Sequence, residues 1–209
     1  MRLAVLALTA VLALLLFSAG AAFAVKAGCA HDRPCFGSSA GDRITGTNGN
    51  DRIMARSGRD LVDARGGSDV VHGEAGSDGD EYAAGGLFGD SPGATGKSDR
   101  DGDDRVYGDG GRDMLYGFGG SDVLVGGGKA DYIFATESRT RMSRPYVVRS
   151  KNPGTDTVRA GSGGDHIEAD DGRIDVIDCG GGKDAVWFDK GLDIVSRNCE
   201  LKNIIHSEG

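Results

Sequence analysis

The chain has 209 residues, with 37 Gly, only 4 Pro, 6% aromatic side chains and a net charge of −8. Gly at that level without a Gly-X-Y period or abundant Pro excludes a collagen-like rod, and so few aromatics exclude a thick apolar core. The acidic balance disfavours nucleic acid as a partner and suits cations.

Residues 1–24 stand apart. Arg2 supplies a basic start, Leu3 to Phe17 is almost unbroken apolar sequence, and Ala22-Phe23-Ala24 fits an A-x-A cleavage rule. The segment reads as a secretory signal peptide cut after Ala24, which makes the protein secreted or cell-surface associated. The competing reading is an uncleaved membrane anchor, because the apolar run could nearly span a bilayer. Residues 25–36 form an N-terminal cap containing Cys29 and Cys35; Cys179 and Cys199 are the other cysteines. An even number of Cys in an exported chain predicts disulfides, with three pairings open. No CxxC pair or paired His accompanies them, so a zinc site is not indicated.

From residue 37 a repeat takes over. Asp42, Asp51, Asp60, Asp69 and Asp78 are spaced by nine, as are Asp104, Asp113, Asp122 and Asp131. Asp156 and Asp165 follow, then, after a one-residue insertion, Asp175, Asp184 and Asp193. Two places after each Asp stands an aliphatic residue, from Ile44 and Ile53 through Val186 and Val195; Asp78 alone has Asp80 there. Two places before the Asp, Gly is usual, including Gly49, Gly58, Gly67, Gly76, Gly111 and Gly120. The phase divides the chain into repeat blocks at 37–81, 104–134 and 152–200, loops at 82–103 and 135–151, and a tail at 201–209.

One unit has a direct physical reading. The Gly-rich half turns tightly, because Gly accepts positive φ. The next three residues, such as Arg52-Ile53-Met54, make a very short strand whose middle side chain points inward. Two units make one coil of 18 residues, which places Asp51 near Asp69 on one edge and Asp60 near Asp78 on the other. Like charges stacked a few ångströms apart repel by about 1 to 4 kcal/mol per pair unless a cation lies between them. Calcium suits such a row, since it takes six to eight oxygens and the carboxylates are joined by turn carbonyls near Gly49, Gly58, Gly67, Gly76, Gly111 and Gly120. Magnesium, with its strict octahedron, fits less well, and folding is expected to be coupled to calcium binding.

Gly108 to Tyr116 and Gly117 to Val125 resemble the GGxGxDxUx nonapeptide of RTX (haemolysin-type) calcium-binding repeats, a likeness extending over about residues 37–196. The resemblance implies an all-β fold, a right-handed parallel β-roll or β-solenoid, with Ca2+ between the turns of successive coils. It implies side-chain ligands at Asp51, Asp60, Asp69, Asp78, Asp104, Asp113, Asp122, Asp131, Asp156, Asp165, Asp184 and Asp193. Lys129, Ala40 and Arg173 replace the second turn Gly before Asp131, Asp42 and Asp175, so these turns depart from the motif. The N-terminal export segment makes the chain look more like the small Sec-exported bacterial members. Asp178 to Asp184 and Arg197 to Glu200 resemble a closing unit of that group, which implies a Cys179–Cys199 bond. Their separation of 20, one coil plus two residues, agrees with adjacent coils, and Cys29–Cys35 would close the first coil in the same way.

The inserted stretches are read as surface loops. Asp99 to Asp104 alternates acids like an EF-hand, but the Gly and the closing Glu are missing. Ser91 to Ser98 is one residue short of a phosphate-binding loop, with no strand before it or helix after it. Gly37 to Gly41 matches G-x-S-x-G but merges into the first turn. The basic stretch with Arg139, Arg141, Arg144, Arg149 and Lys151 is a solvated loop or a contact to cell wall or glycan. The expectation is therefore a calcium-binding β-roll without catalysis of its own and with no stable membrane insertion after cleavage. The alternatives are a calcium-stiffened adhesion module and, behind it, a secreted hydrolase.

Overall fold

A strand of three residues with one buried aliphatic cannot stand alone, and the chain solves this by stacking. The computed structural model describes residues 26–30, 33–79, 86–90, 101–136 and 154–205. The expected signal peptide, most of the basic stretch with its four arginines, and Ser91–Ser98 lie outside the described residues.

Among the described residues the fold is all-β, built of two open sheets whose strands pair parallel. The first sheet takes, in spatial order, Lys26–Gly28, Arg43–Thr45, Leu61–Asp63, Leu87–Phe88, Met114–Tyr116, Tyr132–Phe134, His166–Ala169, Ala185–Asp189 and Leu201–Ile205. The second takes Cys35–Phe36, Arg52–Met54, Val70–His72, Arg105–Gly110, Val123–Gly128, Thr157–Gly163, Val176–Asp178 and Ile194–Val195. Consecutive strands alternate between the sheets, so the chain winds as a parallel β-roll.

The register follows the repeat. Ile44 lies opposite Val62, Ile53 opposite Val71, and Val106 opposite Leu124. The inward aliphatics, from Ile44 to Val186, are at most 1% exposed and form one continuous core. Each contributes about 1.5–3 kcal/mol by leaving water. A second inward place, two residues later, is filled by Ala55, Ala64, Ala135, Ala160, Ala169 and Cys179. Gly takes that place in other coils, which hid it in the sequence.

Two expectations change. The stretch after Asp78 is not all loop, because Leu87–Phe88 is a strand of the first sheet with Leu87 fully buried. Leu87 lies opposite Val62 on one side and Leu115 on the other. Counting by nine misses it because burial, not spacing, sets the register once residues are inserted. Nor are the three repeat blocks separate. Val70–His72 pairs with Arg105–Gly110 across the first insertion, and Tyr132–Phe134 with His166–Ala169 across the second. Side chains beside the inward aliphatics are enclosed too: Phe88, Met114, Tyr116, Phe118 and Phe134 form a second buried cluster. Its rings stack at 4.8 Å (Phe88–Tyr116) and 4.6 Å (Tyr116–Phe134).

Both expected disulfides are present. Cys29–Cys35 links the two sheets within the first coil, and Cys179–Cys199 ties the last coils, with Cα atoms 5.3 and 5.2 Å apart.

The turns are equally tight. Gly111 has φ +149°, and a methyl group there would overlap the carbonyl oxygen of Gly76. Gly111→Ala is expected to cost on the order of 3 kcal/mol or more. Gly181→Ala, which has open space and ordinary φ, is expected to cost little. Thermal unfolding of the two variants in saturating calcium checks the contrast.

Candidate metal centre

The repeated aspartates line the two edges where the chain crosses between sheets. On one edge stand Asp42, Asp60, Asp78, Asp113, Asp131, Asp165 and Asp184; on the other Asp51, Asp69, Asp104, Asp122, Asp156, Asp175 and Asp193. All but Asp193 are buried. Up to the last coil, each backbone N–H donates to Oδ1 of the aspartate one coil on: Asp42 to Asp60 at 2.7 Å, Asp60 to Asp78 at 2.8 Å, Asp51 to Asp69 at 2.7 Å. The ladders run unbroken through both insertions, with Asp69 donating to Asp104 at 2.7 Å and Asp131 to Asp165 at 2.8 Å. They also absorb the one-residue insertion, where Asp156 donates to Asp175 at 2.8 Å. One carboxylate oxygen per repeat therefore serves the backbone.

The first edge ends on a residue that the spacing did not reveal. Asp184 N–H donates to Glu200 Oε2 at 3.1 Å. Glu200 falls two residues short of the phase and is one methylene longer, so it reaches the place of the next Asp. Its position beside Cys199 was the available signal.

The second oxygen is the informative one. Oδ2 of Asp60, Asp69, Asp78, Asp104, Asp113, Asp131, Asp165, Asp175 and Asp184 is buried with no hydrogen-bond partner. Burying a carboxylate oxygen in that state is costly unless a cation meets it. The roll's ends differ. Asp42 Oδ2 accepts the Ser38 N–H and Asp51 Oδ2 the Thr47 N–H, both at 2.5 Å, while Asp193 Oδ2 accepts the Asp189 N–H at 2.7 Å. The end carboxylates thus spend Oδ2 on the chain itself.

Burial pushes the interior carboxyls up: Asp60, Asp113 and Asp165 to about 6, Asp69 and Asp78 to about 7, Asp104 and Asp131 to about 8, Asp175 to about 9. The ladder N–H groups pull the other way, and neighbouring carboxylates add to the rise at most of these positions, as Asp51 does at Asp69 and Asp113 and Asp165 do at Asp131.

Among the described residues no three His, Cys, Asp or Glu side chains gather as a metal-binding group. An ion on these edges therefore draws on one free carboxylate oxygen per coil and on turn carbonyls, an all-oxygen set that suits calcium. Gly58, Gly76 and Gly111 lie in the turns of the first edge, and Gly49, Gly67 and Gly120 in those of the second. His72 and His166 are engaged elsewhere, with Asp109 at 3.0 Å and Glu168 at 3.1 Å. Gly37–Gly41 forms the first turn, where Ser38 Oγ donates to Asp42 Oδ1 at 3.1 Å.

A family model described as RTX calcium-binding nonapeptide repeat matches in four copies, over residues 36–71, 45–80, 99–133 and 152–173. No curated protein matches the chain.

Proposed function

This chain belongs to the RTX calcium-binding nonapeptide-repeat family and binds Ca2+, and on that premise we propose that it is an exported protein whose folding is coupled to calcium and which has no catalysis of its own. The observation that carries the reading is the pair of edges lined with buried, unpartnered Oδ2 atoms. The interior ligands would be Asp60, Asp69, Asp78, Asp104, Asp113, Asp131, Asp165, Asp175 and Asp184, with Asp122 and Asp156 in the same ladder. Asp42, Asp51 and Asp193 are end caps that complete the ladders. Bound calcium supplies positive charge to oxygens that nothing else neutralises. The chain's own part is to hold each carboxylate by its Oδ1, through the N–H of the coil before, so that in the folded coil Oδ2 is left to face the ion.

Export is supported by residues 1–24 and by the two disulfides. Affinity would fall in the extracellular range of ~10⁻⁴ to 10⁻³ M, leaving the chain unfolded at cytosolic calcium. The test is circular dichroism of the oxidised protein, cleaved after Ala24, titrated with calcium and with magnesium from a chelated start. A gain of β signal with calcium and little with magnesium is expected. A full β signal in chelator that does not change with calcium would remove the basis of the reading.

A further inference from the structure

Asp90 belongs to no repeat, yet it is 1% exposed. It lies two residues past the strand Leu87–Phe88, held there as the Gly89 N–H donates to Tyr116 O at 3.0 Å. Its Oδ2 accepts the Gly102 N–H at 3.3 Å, so the side chain ties the two ends of the insertion together. Its Oδ1 is buried and has no partner. Asp104, at the far end of the same turn, also has a buried, unpartnered Oδ2, and that oxygen lies over Gly89, where any side chain would overlap it. In the turns before and after, the place of Asp90 is taken by Arg65 and Phe118, as the register of Leu87 with Val62 and Leu115 requires. Neither side chain carries an oxygen.

Building on the calcium reading above, we infer that Asp90 adds a carboxylate to the calcium site of Asp104 at the neck of the first insertion, making that site tighter than the other repeat sites and the first to fill. Asp101, between them in the chain, adds a further negative charge. The charges of Asp104, Asp101 and Asp122 all act on Asp90. Ligand charge count, together with site rigidity, tunes calcium affinity in oxygen sites. An ion here closes the neck and joins the repeats on either side of the insertion into one stack.

The experiment is calcium titration of the full oxidised chain by calorimetry, with terbium luminescence as a second readout, for wild type, Asp90→Asn, Asp90→Ala and Asp63→Asn. Asn keeps an acceptor for the Gly102 N–H and removes only the charge. The site predicts that Asn and Ala both lose the first, tightest binding step, by about tenfold or more in affinity, while Asp63→Asn keeps it. An Asp90→Asn isotherm identical to wild type would leave Asp90 as a neck hydrogen bond and overturn the proposal. Failure of the wild type to bind calcium at all would instead remove the general reading on which this one rests.

Discussion

In excess chelator, acidification from about pH 8 to about pH 4 is expected to restore much of the β-roll signal that calcium removal abolishes. The interior aspartates have folded-state pKa values raised by burial, to about 7 for Asp69 and about 8 for Asp104 and Asp131. In the unfolded chain they titrate near the ordinary value of about 3.9. A raised folded pKa means that the folded state binds more protons. The contribution to stability is therefore fully present below about pH 4 and is lost as pH rises through about 6 to 9. A proton neutralises each carboxyl much as calcium would, so acid substitutes for the metal. With calcium present the dependence on the ion is reversed in sign: protons compete, and the calcium midpoint rises as pH falls. Far-ultraviolet circular dichroism against pH, with and without calcium, checks both limbs. A chelated chain that remains unfolded throughout would show that charge repulsion is not what opposes the apo roll.

Asp131→Asn is expected to move stability in opposite directions with and without calcium. Asp131 Oδ1 accepts the Asp113 N–H at 3.0 Å, and its Oδ2 is buried and unpartnered. Asn retains the first interaction and removes the charge that the second oxygen carries. In calcium the midpoint concentration for folding should rise about tenfold, since ligand charge sets affinity. In chelator at about pH 8 the variant should be more folded than wild type, because no buried carboxylate must be neutralised there. Asp131→Ala removes the ladder acceptor as well, and should fall below Asn under both conditions by about 1–3 kcal/mol, the cost of leaving the Asp113 N–H unsatisfied. Paired denaturation curves separate the two roles of one side chain. Equal loss by Asn in calcium and in chelator would assign Asp131 to the backbone ladder alone.

Residues that repeat in phase are legible from spacing and residue type. The inward aliphatics such as Ile53 and Val71 and the two edges of aspartates lie where the repeat places them, and the cysteines pair as the resemblance implies. Leu87 and Asp90 are not legible in this way, because each stands alone in a Gly-rich insertion without a partner in phase. Glu200 escapes the pattern because it differs from the motif in residue type and spacing. Nor can spacing show that Asp42, Asp51 and Asp193 spend Oδ2 on a nearby N–H group while the interior carboxylates keep it unpartnered.

The sequence by itself determined the coil: a nine-residue phase obliges the chain to turn, bury one aliphatic and present one aspartate, since these follow from local geometry and side-chain chemistry. Only the tertiary structure decided that the blocks form one stack, with insertions looped out of the turns, and which oxygens remain available. Those outcomes depend on contacts between residues as far apart as Asp69 and Asp104, and such contacts are chosen by burial and hydrogen bonding between coils rather than by neighbours in the chain.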